Sequence, residues 1–533
     1  MADAPAPSAA ARAGILLVAA VAGAGVMTLE LASVRSLAPY FGASTEVWTA
    51  AIGVVFLALA CGYAAGGAAA ERGGTTGSLA TALAAGGLLA AGAPIALPPI
   101  ARWLLPEDLS LDDALPLLRG GALATEAALF GLPVFLLGFT EPLFVRAATA
   151  AGAPAGRAVG LVLAASTLGG LVGTFGTTYV LVPELGVRKT LVATGAALAA
   201  AGAAVLVGRR RWRGAASVVV VAGLTAGLTL LVPTPEPARA GERVLAVRDS
   251  REQRLRVVEK GSGDDREIWL QVNEGLDSFQ SLDAPGRATP GHYFDTLALA
   301  AMLAGKASRP RVAVLGAGTG SVVRSLFALV GDADVIGFEL DPAVVELGRR
   351  HFRLGELEER GLRMVSGLDA RVGLATLAGP LDAIVIDAYA KQVEIPFHLV
   401  TRELFRLATA KLAPGGIVGV NVSAFGPNDP VLRAVAATLA AEVGEVLVLP
   451  VRDDHNAVIV ARRGKALPTA AQILARLRLH TGTPFPQIGQ HLAGPGGAYL
   501  FVPRSDDPIL TDDRAPMELL QSRSLELAQR SRR

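Results

Sequence analysis

Four short stretches in the second half of the chain have the residue types and spacing to bind and transform a small molecule. The run RVAVLGAGTGSVVRSL places Gly316, Gly318 and Gly320, with Thr319 between the last two, where a strand pattern gives way to a helix pattern. Glycines at such a turn let the backbone pass close to a ligand and leave the helix N-terminus free to face it. About twenty residues on, the run GFELDP supplies Glu339 and Asp341, in the position from which a carboxylate hydrogen-bonds ribose hydroxyls. In SGLDAR, Asp369 and the following Ala370 end a third strand pattern; an acid there can accept from an adenine amino group or cap a helix, and the two roles are compatible. Asp387 ends a fourth strand pattern, LDAIVID, and a carboxylate at that edge can hold a cationic amine or accept its proton.

The elements that must position these groups alternate from residue 311 onward. RVAVLG, DVIGFEL, LRMVSG, LDAIVID and GGIVGVNV read as buried strands, each followed by a helical pattern, and VLVLPV with AVIVA closes the sheet as a hairpin. This is the pattern of a doubly wound, Rossmann-type α/β domain, assigned to residues 301–520 with a tail over 521–533. Ahead of it, VLAVRD, LRVVEK and EIWLQV predict a small β subdomain over 244–300.

The first half has a different character. The 533-residue chain is 52% hydrophobic with a mean hydropathy of +0.46, far above a soluble average. Apolar runs long enough to span a bilayer recur near 14–37, 47–70, 79–104, 122–147, 158–183, 189–208 and 214–232. They predict a multi-span α-helical membrane domain over 13–233, preceded by a disordered N-terminus (1–12) and followed by the linker 234–243. Gly169, Gly173 and Gly176 have the small-residue spacing that lets helices approach closely. Glu30, Arg35, Glu126, Glu141 and Arg146 fall within or at the edges of the spans; each marks either a polar pathway or a side chain that reaches the interface. A net charge of +2 removes the electrostatic case for nucleic-acid binding, and the single cysteine, Cys61, allows neither a disulfide framework nor a cysteine metal site.

From about residue 243 to 463 the chain resembles the spermidine synthase (polyamine aminopropyltransferase) family, and as a whole it resembles that family's membrane-fused bacterial branch. The matching stretches are WLQVNEGLDSFQS, HYFDTLALAAML, GAGTG, FELDP, PFHLVTREL and KLAPGGIVGVNV, with Asp387 at its strand end. GAGVMTLELASVRSLAPYFG and LTDDRAPMELL match the fused branch. The resemblance implies decarboxylated S-adenosylmethionine or S-adenosylmethionine as co-substrate, no metal, a small cationic amine as acceptor, a lipid bilayer as surroundings, and a homodimer as one assembly open to it. It further implies that Gln280, Glu339 and Asp369 contact the nucleoside, that the Gly316 to Gly320 loop wraps the methionine-derived chain, and that Asp387 binds the attacking amine. Tyr293 and Asp295 match the segment lining the amine pocket.

Two departures set the alternatives. The family's glycine loop carries an acid where this chain has Thr319, and a second acid three residues after the position of Asp387, where this chain has Ala390. Losing both weakens the grip on a decarboxylated co-substrate and a diamine. Methyl transfer from intact S-adenosylmethionine is therefore the rival, and a nucleoside- or polyamine-sensing transporter is the reading from another class. Glu274, Asp277, Glu394, Asp512 and Asp513 are the acids that could restore a cationic pocket. The expected location is the inner membrane. Arg209 to Arg213 predicts a cytoplasmic loop and, with seven spans, an outward-facing C-terminal domain, whereas cytoplasmic supply of the co-substrate places that domain inside. One miscounted span would reconcile the two, and the expectation is a cytoplasmic-facing C-terminal domain.

Overall fold

A computed structural model describes residues 9–41, 45–74, 76–104, 120–232, 241–272, 279–304, 309–389, 395–452 and 455–532. Glu274, Asp277, Ala390, Glu394 and most of the expected linker lie outside the described residues. The chain divides into two compact units. One comprises Met1–Pro237 with the short stretches Arg248–Arg254 and Asn273–Gly275, and the other comprises the remainder.

The described residues of the first unit contain seven helices long and apolar enough to cross a membrane, as the seven apolar runs predict. They are α1 (Ala9–Phe41), α2 (Thr45–Glu71), α3 (Thr76–Leu104), α4 (Gly120–Ala150), α5 (Ala155–Leu185), α6 (Val187–Gly208) and α7 (Trp212–Leu231). Small residues decide how closely these helices meet. A methyl group on Gly169 or Gly173 of α5 would run into the backbone of Ala20 or Ala24 on α1, and Gly87 of α3 faces Gly195 of α6 in the same way. Gly176 has open space around it, so the expected glycine stripe is a two-residue seam. Two π turns interrupt the spans, Ala127–Gly131 in α4 and Thr177–Leu181 in α5. Gly169→Leu should lower the midpoint of thermal unfolding of the detergent-purified protein by several degrees, since overpacking costs about 1–3 kcal/mol. Gly160→Leu, on the same helix with nothing within 4 Å, should leave it unchanged. Equal behaviour of the two variants would remove the seam.

The second unit begins with a four-stranded sheet in the order β1 (Glu242–Asp249), β2 (Arg254–Lys260), β3 (Glu267–Val272), β4 (Ser281–Asp283). The first three are the strands expected from the sequence. The fourth is three residues long and too short for an alternating pattern to announce.

The main sheet has eight strands in the order β12-β10-β11-β9-β8-β5-β6-β7. Its parallel part is β5 (Arg311–Leu315), β6 (Asp334–Glu339), β7 (Leu362–Ser366), β8 (Leu381–Ile386) and β9 (Leu412–Ser423). The expected hairpin, β10 (Val446–Pro450) with β11 (Asn456–Arg462), joins β9 antiparallel, and the two-residue β12 (Tyr499–Leu500) extends the edge. Successive strand residues point to opposite faces, so Val312 and Val314 enter one apolar layer while Ala313 and Leu315 enter the other. Burial on both faces is why these strands are continuous apolar runs.

The helices used below are α8 (His292–Leu303), α9 (Ser321–Val330), α10 (Pro342–His351), α11 (Ala370–Thr376), α12 (Arg402–Lys411), α13 (Pro430–Val443) and α14 (Met517–Arg532). The last corrects the expectation of a tail over 521–533. Met517 and Leu520 enter the apolar layer, and the Ser524 hydroxyl hydrogen-bonds to Asp429. Residues 9–12 are likewise helical where a disordered segment was expected, because the helix of the first span starts at Ala9.

Candidate active site

The chain order reverses between β5 and β8, and ligands of open α/β sheets sit outside the carboxyl ends of the strands at such a point. The glycine turn follows β5 there. Gly316, Gly318 and Gly320 have φ of +83°, +53° and +93°, a region that L side chains rarely adopt. Space is as restrictive as torsion. A Cβ on Gly316 would lie 2.5 Å from the Ala388 Cα and 2.6 Å from the Asp387 carbonyl oxygen, and one on Gly318 would lie 2.5 Å from the Ser281 Oγ. The turn is therefore pressed against the end of β8 on one side and against β4 on the other. Thr319 donates its backbone N–H to Ser281 Oγ at 3.1 Å, and the Ser321 hydroxyl at the start of α9 bonds both the N–H and the carbonyl of Leu282 at 2.9 Å.

Glu339, at the end of β6, lies beneath this turn. Its two carboxylate oxygens accept from the backbone N–H groups of Gly318 and Asp341, each at 3.0 Å. Burial outweighs these bonds and pushes the carboxyl up to about 7. Its nearest partners are thus the turn and the head of α10, where Asp341 caps the helix by accepting from Ala343 at 2.9 Å. Asp369 caps α11 in the same manner, accepting from the N–H groups of Arg371 and Val372, and its other oxygen meets His398 Nε2 at 2.8 Å. Burial would raise the Asp369 carboxyl, but the bond to His398 and the helix amides hold it below its ordinary value. Ala370, the first residue of that helix, is buried beside it.

Asp387 follows β8. Asn421 on β9 donates its side-chain N–H to Asp387 Oδ1 at 2.9 Å, and Asn456 on β11 donates to Asn421 Oδ1 at 2.8 Å. The Tyr293 hydroxyl on α8 also bonds Asp387. The residue keeps a partial opening to solvent. The groups around its carboxyl are nevertheless dense enough that burial, opposed by Asn421 and Tyr293, pushes it up to about 8. The backbone of Tyr389, two residues on, accepts from Gln280 Nε2 at 3.2 Å, and its hydroxyl bridges the Asn421 carbonyl and the Ser423 N–H at 3.1 and 3.0 Å.

Asp387, Tyr293, Gln280 and the glycine turn thus converge on the β5 and β8 ends. Asp295 is directed elsewhere: it is 1% exposed, and its oxygens accept from Thr289 at 2.9 Å and Ser325 at 2.6 Å. Burial, opposed by Ser325 and Thr289, lifts it to about 6, and it ties α8 to α9. Asp512 is bound to Arg371 by two bonds of 2.6 Å and to Thr401, which removes it as a free acid; Arg371, opposed by burial, holds it down at about 2. Sequence reasoning missed Asn421, Asn456, Tyr389, Ser281 and His398. His398, Ser281 and Asn421 lie in PFHLVTREL, WLQVNEGLDSFQS and KLAPGGIVGVNV, stretches already singled out, but their roles, like those of Asn456 and Tyr389, exist only through neighbours brought close by the fold.

Two buried polar atoms at this cleft have no hydrogen-bond partner among the described residues: Gln280 Oε1 and the Thr319 hydroxyl. A buried polar group without a partner is costly, and a nucleoside with a polar amino-acid-like chain fits that need, the glutamine accepting and the threonine donating.

No family model matches the chain. It is 31% identical over 322 residues to a polyamine aminopropyltransferase of Mycobacterium tuberculosis, an alignment covering 56% of this chain and 58% of the relative. It is 29% identical over 232 residues to a release factor glutamine methyltransferase of Rhodospirillum rubrum, covering 42% and 65%. A solved structure of a probable spermidine synthase from Corynebacterium glutamicum aligns at 17% identity over 51% of this chain and 98% of that one, with a TM-score of 0.41. The chain spans somewhat more than half the length of the first of these relatives. Over the part that they share, the chain is similar to polyamine aminopropyltransferases.

Proposed function

We propose that the chain transfers an aminopropyl group from decarboxylated S-adenosylmethionine to a polyamine-type acceptor, with its catalytic unit held at a membrane by the seven apolar helices. The observation that carries this reading is Asp387: a strand-end carboxyl beside the glycine turn, raised to about 8 and held by Asn421 and Tyr293. In such a transfer the acceptor nitrogen attacks the carbon next to the sulfonium. The carbon–sulfur bond breaks, its electron pair returns to sulfur as methylthioadenosine leaves, and the nitrogen loses a proton. A carboxylate with a pKa near 8 accepts that proton at moderate pH and attracts the cationic amine beforehand. Tyr293 and Asn421 keep it aimed.

The methyl-transfer reading is favoured by one observation. Thr319 occupies the turn with a buried, unpartnered hydroxyl and no acid, an environment that suits the carboxylate of intact S-adenosylmethionine. Products separate the two. Purified protein with 1,4-diaminobutane and either co-substrate should release methylthioadenosine from the decarboxylated compound alone. Release of S-adenosylhomocysteine instead would overturn the aminopropyl reading in favour of the rival. We place the catalytic unit on the cytoplasmic side, on co-substrate supply. Protease cleavage of the C-terminal unit in right-side-out vesicles would reverse that placement.

The pH profile gives a further test. Asp387 must be ionised to act, so kcat/KM for the acceptor should rise with pH through a limb near 8. Tyr293→Phe removes a donor that favours the anion and should move that limb up by about one unit. A limb that stays in place would detach Asp387 from it.

A further inference from the structure

Helix α4 carries a carboxyl group at Glu126 that is 0% exposed, with both oxygens buried and the Ser33 hydroxyl as the one polar group that reaches it among the described residues. The preceding Thr125 is also 0% exposed, and its hydroxyl is unpartnered among the described residues. Glu30 and Ser33, one turn apart on α1, face Glu126. The π turn Ala127–Gly131 starts at the next residue, and such turns break the regular backbone ladder and recur at functional sites. Leu29 and Phe130 line the same apolar interior. A carboxyl at this depth costs several kcal/mol unless something positive reaches it, and among the described residues the charged neighbour resolved for Glu126 is Glu30, not a lysine, arginine or histidine.

We propose that Glu126 and Glu30, with the Thr125 and Ser33 hydroxyls, form a binding site inside the helical unit for a primary ammonium ion. The chemistry points to an organic cation over a bare metal ion. Two carboxylates and two hydroxyls satisfy the three N–H donors of an ammonium, and the apolar walls accept its alkyl chain. A hard metal ion takes six or more oxygens, and no group of three or more acidic, histidine or cysteine side chains occurs among the described residues. The site does not depend on the transferase reading, because none of its residues belongs to the α/β unit.

Equilibrium dialysis of radiolabelled 1,4-diaminobutane against the full-length Asp387→Asn protein in detergent tests this with the strand-end carboxylate removed. That protein should still bind the diamine, and adding Glu126→Gln should weaken binding at least about tenfold. Glu141→Gln, on the same helix where Glu141 is bonded by Ser166, should not. No binding to the Asp387→Asn protein, or binding indifferent to Glu126→Gln, overturns the proposal. Should the double variant fail to fold, dicyclohexylcarbodiimide labelling of Glu126 in the wild-type protein, read by peptide mass spectrometry, decides. Labelling should slow when the diamine is present. A rate unchanged by the diamine, or slowed equally by sodium chloride at matched ionic strength, overturns it.

Discussion

Asp387→Asn is expected to reduce kcat by at least about a thousandfold while leaving methylthioadenosine binding within a few-fold of the wild type. Asparagine keeps the size of the side chain and a hydrogen bond to Asn421, so the end of β8 and the adjoining glycine turn keep their places. What disappears is the negative charge and the ability to take a proton, and among the described residues the candidate acids do not replace either. Asp295 is occupied by Thr289 and Ser325, and Asp512 is neutralised by Arg371. Turnover within tenfold of the wild type would remove Asp387 from the chemistry and with it the main support for the proposed reaction.

The same variant should be more stable, in a pH-dependent way. A carboxyl with an ordinary value of 3.8 that is raised to about 8 in the folded protein opposes folding once the unfolded chain ionises. The penalty is absent below pH 4, grows as pH rises, and levels off above 8. Because the residue is partly open to solvent, its size is set at about 1–3 kcal/mol. Melting curves of the two proteins should coincide near pH 4 and separate by a few degrees at pH 8, with the asparagine form higher. A binding site that selects for a strained carboxylate has this signature, whereas a structural acid such as Asp512, held well below its ordinary value by Arg371, has the opposite one.

How far the sequence revealed these features depended on whether a residue's role is local. The seven spans were legible because a bilayer imposes length and hydropathy on each segment by itself, and β5 to β9 because burial on both faces writes a continuous apolar run. Helix α14 was not legible: its exposed face is rich in charge, and the burial of Met517 and Leu520 depends on the layer it covers. At the site, Gly316 and Asp387 stood out because strand ends are local features. Asn421 did not, since its meaning comes from the β8–β9 pairing, which aligns Ile386 with Val420 and so brings Asn421 level with Asp387. Glu339 was expected to reach ribose hydroxyls; in the structure its oxygens accept from Gly318 and Asp341 and brace the turn. Asp295 shows the limit of carrying a role across by position, for its carboxylate ties two helices together.

Gly316→Ala should abolish nucleoside binding and lower stability together, and the reason lies in backbone contacts. The φ of +83° already disfavours a side chain by about 1–2 kcal/mol. The added Cβ would lie 2.5 Å from the Ala388 Cα and 2.6 Å from the Asp387 carbonyl oxygen, atoms that no rotamer change can move. Relief requires the turn to withdraw from the end of β8, which breaks the Asp387 N–H to Leu315 carbonyl bond of 2.8 Å or the bonds from Gly316 and Ala317 to Phe338. Each lost bond removes about 1 kcal/mol, so the total destabilisation should reach roughly 3 kcal/mol. Gly331→Ala is the matched control. Its φ of +75° carries the same torsional penalty, but nothing lies within 4 Å of the new atom, so it should lower stability modestly and leave binding intact. Calorimetric titration with methylthioadenosine and thermal unfolding of both variants read the difference. If Gly316→Ala binds as its control does, the turn does not form the ligand cradle.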